Sequence, residues 1–136
     1  MPPQKRRPVE SPAVVVIEDD LGARRTYSEF LRTKGWNVFT AADGRAGLNK
    51  TLELMPDAVV LDLTIPKVDG WTVLTQIRAS SATAHIPVVV VSAMPDARDR
   101  AFEGGCDAYL AKPCRPEILY LQLRALLRVK GLAAAV

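Results

Sequence analysis

Apolar runs and amphipathic stretches alternate along the chain. Ala13 to Ile17, Ala58 to Leu61 and Val88 to Val91 are continuous hydrophobic runs, the pattern of strands covered on both faces of a parallel sheet. Trp36 to Thr40 predicts a less purely apolar strand and Asp107 to Leu110 a short fifth one. Between these runs the period lengthens to that of a helix. Leu21 to Lys34 places Ala23, Tyr27, Phe30 and Leu31 on one face and stops at Gly35. Gly44 to Leu54 puts Leu48, Leu52 and Met55 together before Pro56, and Gly70 to about Ala79 turns Val73, Leu74 and Ile77 inward. Asp96 to about Glu103 is a weaker helix relying on Ala97, Ala101 and Phe102, and Gly104-Gly105 ends it. Pro116 opens a strong final helix with Leu119, Leu123, Leu126 and Leu127 at i, i+4, i+7 and i+8. Five strand–helix alternations predict an α/β fold: one doubly wound parallel sheet with helices on both faces, in a single domain without internal repeats.

Composition adjusts this picture at its edges. Residues 1–12 carry Pro2, Pro3, Pro8 and Pro12 together with Lys5, Arg6 and Arg7, which predicts a flexible basic leader. The domain is expected over 13–130, followed by a tail at 131–136. The net charge is +3, but most of it sits in the leader, and the body is close to neutral. No basic stripe interleaved with aromatic residues appears, so direct DNA binding is not expected. No apolar run approaches the roughly 20 residues needed to span a bilayer, and Ala13 to Ile17 ends in three acids instead of forming a signal-peptide core. A cytoplasmic location without membrane contact follows as the expectation. Cys106 and Cys114 are the only cysteines, too few for a zinc site, and are expected to be reduced thiols.

The residues just past each apolar run carry the chemistry. The first run ends in Glu18-Asp19-Asp20, the third in Asp62, the fourth in Ser92, and the fifth is followed by Lys112. In a parallel sheet all carboxyl ends share one edge, where open α/β folds collect their ligands. Carboxylates, a hydroxyl and an ammonium would then face each other across about 5 to 10 Å. Clustered carboxylates repel unless a cation joins them, and all-oxygen ligands favour a hard ion such as Mg²⁺. With Lys112 and Ser92 nearby to meet phosphoryl oxygens, Asp62 is a candidate nucleophile for phosphoryl transfer. Taken alone, Asp62 would more often be a loop or capping carboxylate; the convergence of four strand ends is what favours chemistry. Asp20 is expected to cap the helix that begins at Leu21, and His85, before a proline, to be an exposed loop residue.

These motifs, with Leu61-Asp62-Leu63-Thr64-Ile65-Pro66, Asp69-Gly70, Val91-Ser92-Ala93 and Tyr109-Leu110-Ala111-Lys112-Pro113, resemble the receiver domain of bacterial two-component response regulators over about residues 13 to 130. Single-domain chemotaxis and cell-cycle receivers look most similar. The resemblance implies a flavodoxin-like (βα)5 fold with strand order 2-1-3-4-5. It also implies Asp62 as phosphoacceptor, and Mg²⁺ bound by Asp19, Asp62 and the backbone carbonyl of Thr64, with Glu18 assisting through water. Ser92 and Lys112 would contact the phosphoryl group, Tyr109 would be the switch aromatic, and Lys112-Pro113 would be cis. A histidine kinase or phosphotransfer protein would be the donor. Because the sequence ends soon after the final helix, output is expected through a downstream protein target or a homodimer. Ile118, Tyr120 and Leu121 are the candidate interface, Leu121 lying about 200° from Leu119 on the helix. Three rivals remain: a receiver-like scaffold that works unphosphorylated, a fragment of a larger regulator, and a Mg²⁺-dependent aspartyl phosphohydrolase. Thr64 weakens the last, since such enzymes carry an aspartate two residues after the nucleophile.

Overall fold

A computed structural model of the chain describes residues 11–129; the basic leader up to residue 10 and the tail from residue 130 lie outside the described residues. Ser11 and Pro12, assigned to the leader from sequence, are already tied to the domain. Their carbonyls accept hydrogen bonds from the side chain and the backbone of Asn37, at 3.2 and 2.9 Å.

The elements run β1 (Ala13–Ile17), α1 (Leu21–Thr33), β2 (Asn37–Ala41), α2 (Gly44–Leu54), β3 (Ala58–Leu61), α3 (Gly70–Ala79), β4 (Val88–Ser92), α4 (Arg98–Glu103), β5 (Ala108–Ala111) and α5 (Pro116–Val129). The strands form one parallel sheet in the order β2-β1-β3-β4-β5. Successive strand side chains point to opposite faces, so each apolar run feeds two cores. Val15, Ile17, Val59, Leu61 and Val90 meet α2, α3 and α4, whereas Val14, Val16, Val60, Val89 and Val91 meet α1 and α5. The strand ends therefore stand on a support that is packed on both sides.

Three helices start on an aspartate whose carboxylate accepts a backbone N–H three residues on: Asp20 from Ala23 at 2.7 Å, Asp43 from Ala46 at 2.8 Å and Asp69 from Thr72 at 2.9 Å. This bears out Asp20 as a cap. Helix α4 has no such cap. Asp96 sits in the left-handed region at φ 55°, so the helix starts at Arg98, two residues later than the apolar pattern predicts. It buries Ala101 with Ala97 just ahead of it, but leaves Phe102 exposed.

The inner face of α2 also departs from expectation. Leu48 is buried, but Leu52 and Met55 are 46% and 42% exposed. Gly44, Gly47 and Thr51 fill the inner positions instead. A Cβ on Gly47 would lie 2.5 Å from the Ile17 side chain, so the helix packs by close backbone approach and not through large side chains.

On the α5 side, Leu119, Leu123 and Leu127 are fully buried. Leu121 is 52% exposed, as its helical angle predicts, and Ile118 is also exposed. Tyr120 does not join them. Its ring lies 5.2 Å from Trp36 and 6.1 Å from Phe30, centroid to centroid, so it belongs to the α1–α5 packing and the three residues do not form one free face.

At the opposite end of the sheet from the acidic cluster, Arg78 donates to the carbonyls of Gly105, Ala84 and Ile86 and to Asp107, which also accepts from the Val88 amide. Cys106 and Cys114 are free thiols; burial pushes Cys106 up to about 11, with Asp107 adding to the effect.

Candidate functional site

The register places Ile17 opposite Leu61, so Glu18 and Asp62 leave adjacent strands side by side. The Asp62 amide donates to the Ile17 carbonyl at 3.0 Å. From the other direction, the Lys112 amide donates to the Ser92 carbonyl at 2.9 Å, which fixes the base of the lysine beside β4. Its ammonium then donates to Asp62 Oδ2 at 2.9 Å and to Glu18 Oε1. The remaining Asp62 oxygen accepts the Thr64 amide at 3.0 Å. Asp62 and Glu18 are both buried, so these are bonds in a shielded environment.

Burial pushes Glu18 up to about 8; the adjacent Asp62 adds to this and Lys112 opposes it. For Asp62 burial acts in the same direction but loses to Glu18, Lys112 and the Thr64 amide, which together hold it below the usual carboxylate range. Burial and the neighbouring Asp62 thus favour the protonated form of Glu18, while Lys112 and the Thr64 amide favour the ionised form of Asp62. Burial lowers the proton affinity of Lys112, yet its two carboxylate partners more than compensate and keep it a cation.

Glu18, Asp19 and Asp62 each offer an oxygen, and the three oxygens lie within 4.8 Å of one another. Glu18 is only 2% exposed, and its Oε2 has no hydrogen-bond partner among the described residues. A buried carboxylate oxygen left unpaired is unfavourable, and a hard divalent cation is the partner an all-oxygen donor set favours. The residues present thus fit such an ion.

Ser92 and Tyr109 stand at the same edge but are engaged elsewhere. The Ser92 hydroxyl accepts the Met94 amide at 3.1 Å, and the Tyr109 hydroxyl donates to the Met94 carbonyl at 3.2 Å. The two residues thus meet through one peptide segment. The Lys112-Pro113 bond is cis, as the resemblance implies.

Sequence reasoning missed the contributions of Arg24 and Gly44, and quoted Gly70 only as part of a motif. Arg24, one turn into α1, donates to the carbonyls of Glu18 and Asp19 at 2.9 and 3.3 Å and steadies the acidic strand end. Its place four residues after the Asp20 cap was the available signal. Gly70 allows α3 to start against the site, because a Cβ there would lie 2.4 Å from the Asp62 carbonyl oxygen. Gly44 makes a similar approach from α2.

Residues 14–124 match the response regulator receiver domain family. The chain belongs to that family. The receiver is 39% identical over 119 residues to the DNA-binding dual master transcriptional regulator RpaA of Synechocystis, covering 86% of this chain and 49% of that protein. It is 40% identical over 128 residues to the transcriptional regulatory protein PrrA of Mycobacterium tuberculosis, covering 93% and 54%. Among solved structures it resembles the chemotaxis response regulator CheY4 of Vibrio cholerae, with a TM-score of 0.80 at 26% identity and coverage of 86% and 99%. It also resembles the receiver domain of sensor histidine kinase PA1611 from Pseudomonas aeruginosa, which holds a magnesium ion in its active-site cleft. That match has a TM-score of 0.78 at 25% identity and covers 85% and 96%.

The receiver spans about half the length of the curated relatives it matches. This corrects the expectation that DNA has no part and that output passes only through a protein target or homodimer. RpaA is itself named a DNA-binding regulator, and the charge of a receiver says nothing about contacts made by the other half of such a protein. Among the described residues, no helix is long and apolar enough to cross a membrane.

Proposed function

We propose that this receiver accepts a phosphoryl group on Asp62 from a phosphohistidine of a kinase or phosphotransfer protein. A carboxylate oxygen of Asp62 attacks phosphorus, the phosphorus–nitrogen bond breaks, and the imidazole leaves. The observation that carries this reading is the buried, ionised Asp62 held 2.9 Å from the Lys112 ammonium inside a three-carboxylate cluster. Glu18, Asp19, Asp62 and the Thr64 carbonyl would hold Mg²⁺, which when bound supplies positive charge facing the developing phosphoryl oxygens.

The chain's own residues do the rest. Lys112 exchanges its bond to Asp62 for one to the phosphoryl group, and Ser92 leaves the Met94 amide to donate to a second phosphoryl oxygen. Because Tyr109 is bonded to the carbonyl of the same residue, Met94, that movement frees its hydroxyl and turns a local charge into a change of surface. Water later cleaves the aspartyl phosphate in a step assisted by the same residues, so the receiver turns over no outside substrate. It works in the cytoplasm, and the relatives favour control of transcription as the output.

The test is incubation with Mg²⁺ and acetyl phosphate or beryllofluoride, followed by intact mass and the fluorescence of Trp36 and Trp71. Wild type should gain one adduct and Asp62→Ala none. Absence of the adduct on wild type, or its persistence on Asp62→Ala, overturns the proposal and favours a scaffold that works unphosphorylated.

A further inference from the structure

The loop between β3 and α3, residues 62–69, supplies Asp62 and Thr64 and then turns into the α3 cap at Asp69. It is gripped from both sides by backbone. On the inside, the Gly70 amide donates to the Leu63 carbonyl at 3.1 Å, and a Cβ on Gly70 would lie 2.4 Å from both the Asp62 carbonyl oxygen and Leu63 Cα. On the outside, the loop lies against the first turn of α2. A Cβ on Gly44 would lie 1.6 Å from the Val68 carbonyl oxygen and 2.6 Å from its carbon. The Gly44 amide donates to the Pro66 carbonyl at 3.2 Å. Asp43, besides capping α2, sits 3.6 Å from the Lys67 ammonium, and Lys67 takes the left-handed conformation at φ 69° in this crowded turn.

We infer that the first turn of α2, through Gly44 and the Asp43–Lys67 pair, is a positioning element for the β3–α3 loop and sets where its metal-binding oxygens stand. Neither Asp43 nor Gly44 belongs to the acidic cluster; their effect passes through the loop, by its backbone at Pro66 and Val68 and by the Lys67 side chain. Any side chain at 44 must displace Val68, and the displaced carbonyl belongs to backbone, which cannot rotate aside as a side-chain end can. With the first turn of α3 at Gly70 closing the inner side, the loop cannot retreat from that side chain as a rigid piece and has to deform, carrying Thr64 with it. The inference rests on the Mg²⁺ reading of the site.

Gly47→Ala is a matched control. It adds the same methyl group to the same helix, and the atoms it meets at 2.5–2.7 Å belong to the Ile17 side chain, away from the loop. Mg²⁺ affinity is measured by calorimetry and Trp71 fluorescence on the 136-residue wild-type chain, Gly44→Ala and Gly47→Ala, with melts to confirm folding. Displacing groups that orient metal ligands typically weakens binding about 10- to 100-fold, which is the loss expected for Gly44→Ala, with Gly47→Ala within about twofold of wild type. The phosphorylation rate of Gly44→Ala should recover as Mg²⁺ is raised.

Equal Mg²⁺ affinity for Gly44→Ala and wild type, or an equal loss in both glycine variants, overturns the inference. Failure of wild type itself to bind Mg²⁺ overturns instead the reading beneath it. If Gly44→Ala does not fold, Lys67→Ala decides, because that side chain is exposed. Removing a nearby positive charge should by electrostatics alone tighten cation binding, whereas loosening the loop weakens it. Weaker binding supports the positioning role, and tighter or unchanged binding refutes it.

Discussion

Glu18→Gln isolates the energetics of the buried cluster. Wild-type Glu18 is pushed up from 4.5 to about 8, chiefly by burial. A carboxyl whose folded value lies above its unfolded value contributes stability that is fully present below the unfolded value and is lost as pH rises through the folded one. Metal-stripped wild type should therefore weaken from about pH 4.5 to about pH 8. Its neighbours leave that window clear. Asp62 is held low, so its contribution changes only in acid, and Lys112 is held high, so its contribution changes only in strong base. By pH 7 the loss extends over about 2.5 units at about 1.4 kcal/mol each, at most about 3.5 kcal/mol. Glutamine cannot ionise and should escape this loss. In EDTA at pH 7 the variant is expected to be more stable than wild type by about 2–3 kcal/mol, or roughly 10 °C in Tm, and nearly equal to it at pH 4.5. Adding Mg²⁺ should stabilise wild type and do little for the variant, because a ligand stabilises only the form that binds it. Urea and thermal melts at pH 4.5, 6 and 7.5, with EDTA or Mg²⁺, measure both effects. Parallel pH dependences for the two proteins in EDTA would refute the account of Glu18.

Two further predictions concern the frame. Arg78→Ala removes four hydrogen bonds and leaves Asp107 without its cation, so urea melts should show a loss of about 2–4 kcal/mol, with Mg²⁺ affinity unchanged because the acidic cluster stands at the other end of the sheet. Tyr120→Ala should lose about 2–4 kcal/mol through its contacts with Trp36 and Phe30, whereas Leu121→Ala should stay within about 0.5 kcal/mol; equal losses would contradict the packing of α5.

The sheet was legible because its strands are buried on both faces, and only unbroken apolar runs serve there. β1 and β3, and α2 and α3 with them, fall on the boundaries their patterns predict. The site was legible for a related reason: parallel strands bring their carboxyl ends to one edge, so reading the residue after each run assembles Glu18, Asp62, Ser92 and Lys112 without coordinates. What failed depended on partners distant in sequence. Leu52 and Met55 looked like the inner face of α2, but the close approach of Gly47 to Ile17 turns the helix on its smallest residues. Tyr120 looked like a surface residue because Phe30 and Trp36, 90 and 84 positions away, cannot be paired with it by periodicity. Helix α4 looked longer because apolar spacing carries no information about the left-handed turn at Asp96.

That uncapped fourth helix has a consequence for how the molecule breathes. It has six residues, no side-chain cap and one buried residue of its own, Ala101, while the flanking strands β4 and β5 are held in the sheet ladder. Opening it breaks few contacts, so it sits at the low end of the hierarchy of local unfolding. Its amides should exchange with solvent well before those of β1, β3 and β4. Opening of the segment from Met94 to Gly104 would move its first residue, which holds both Ser92 and Tyr109.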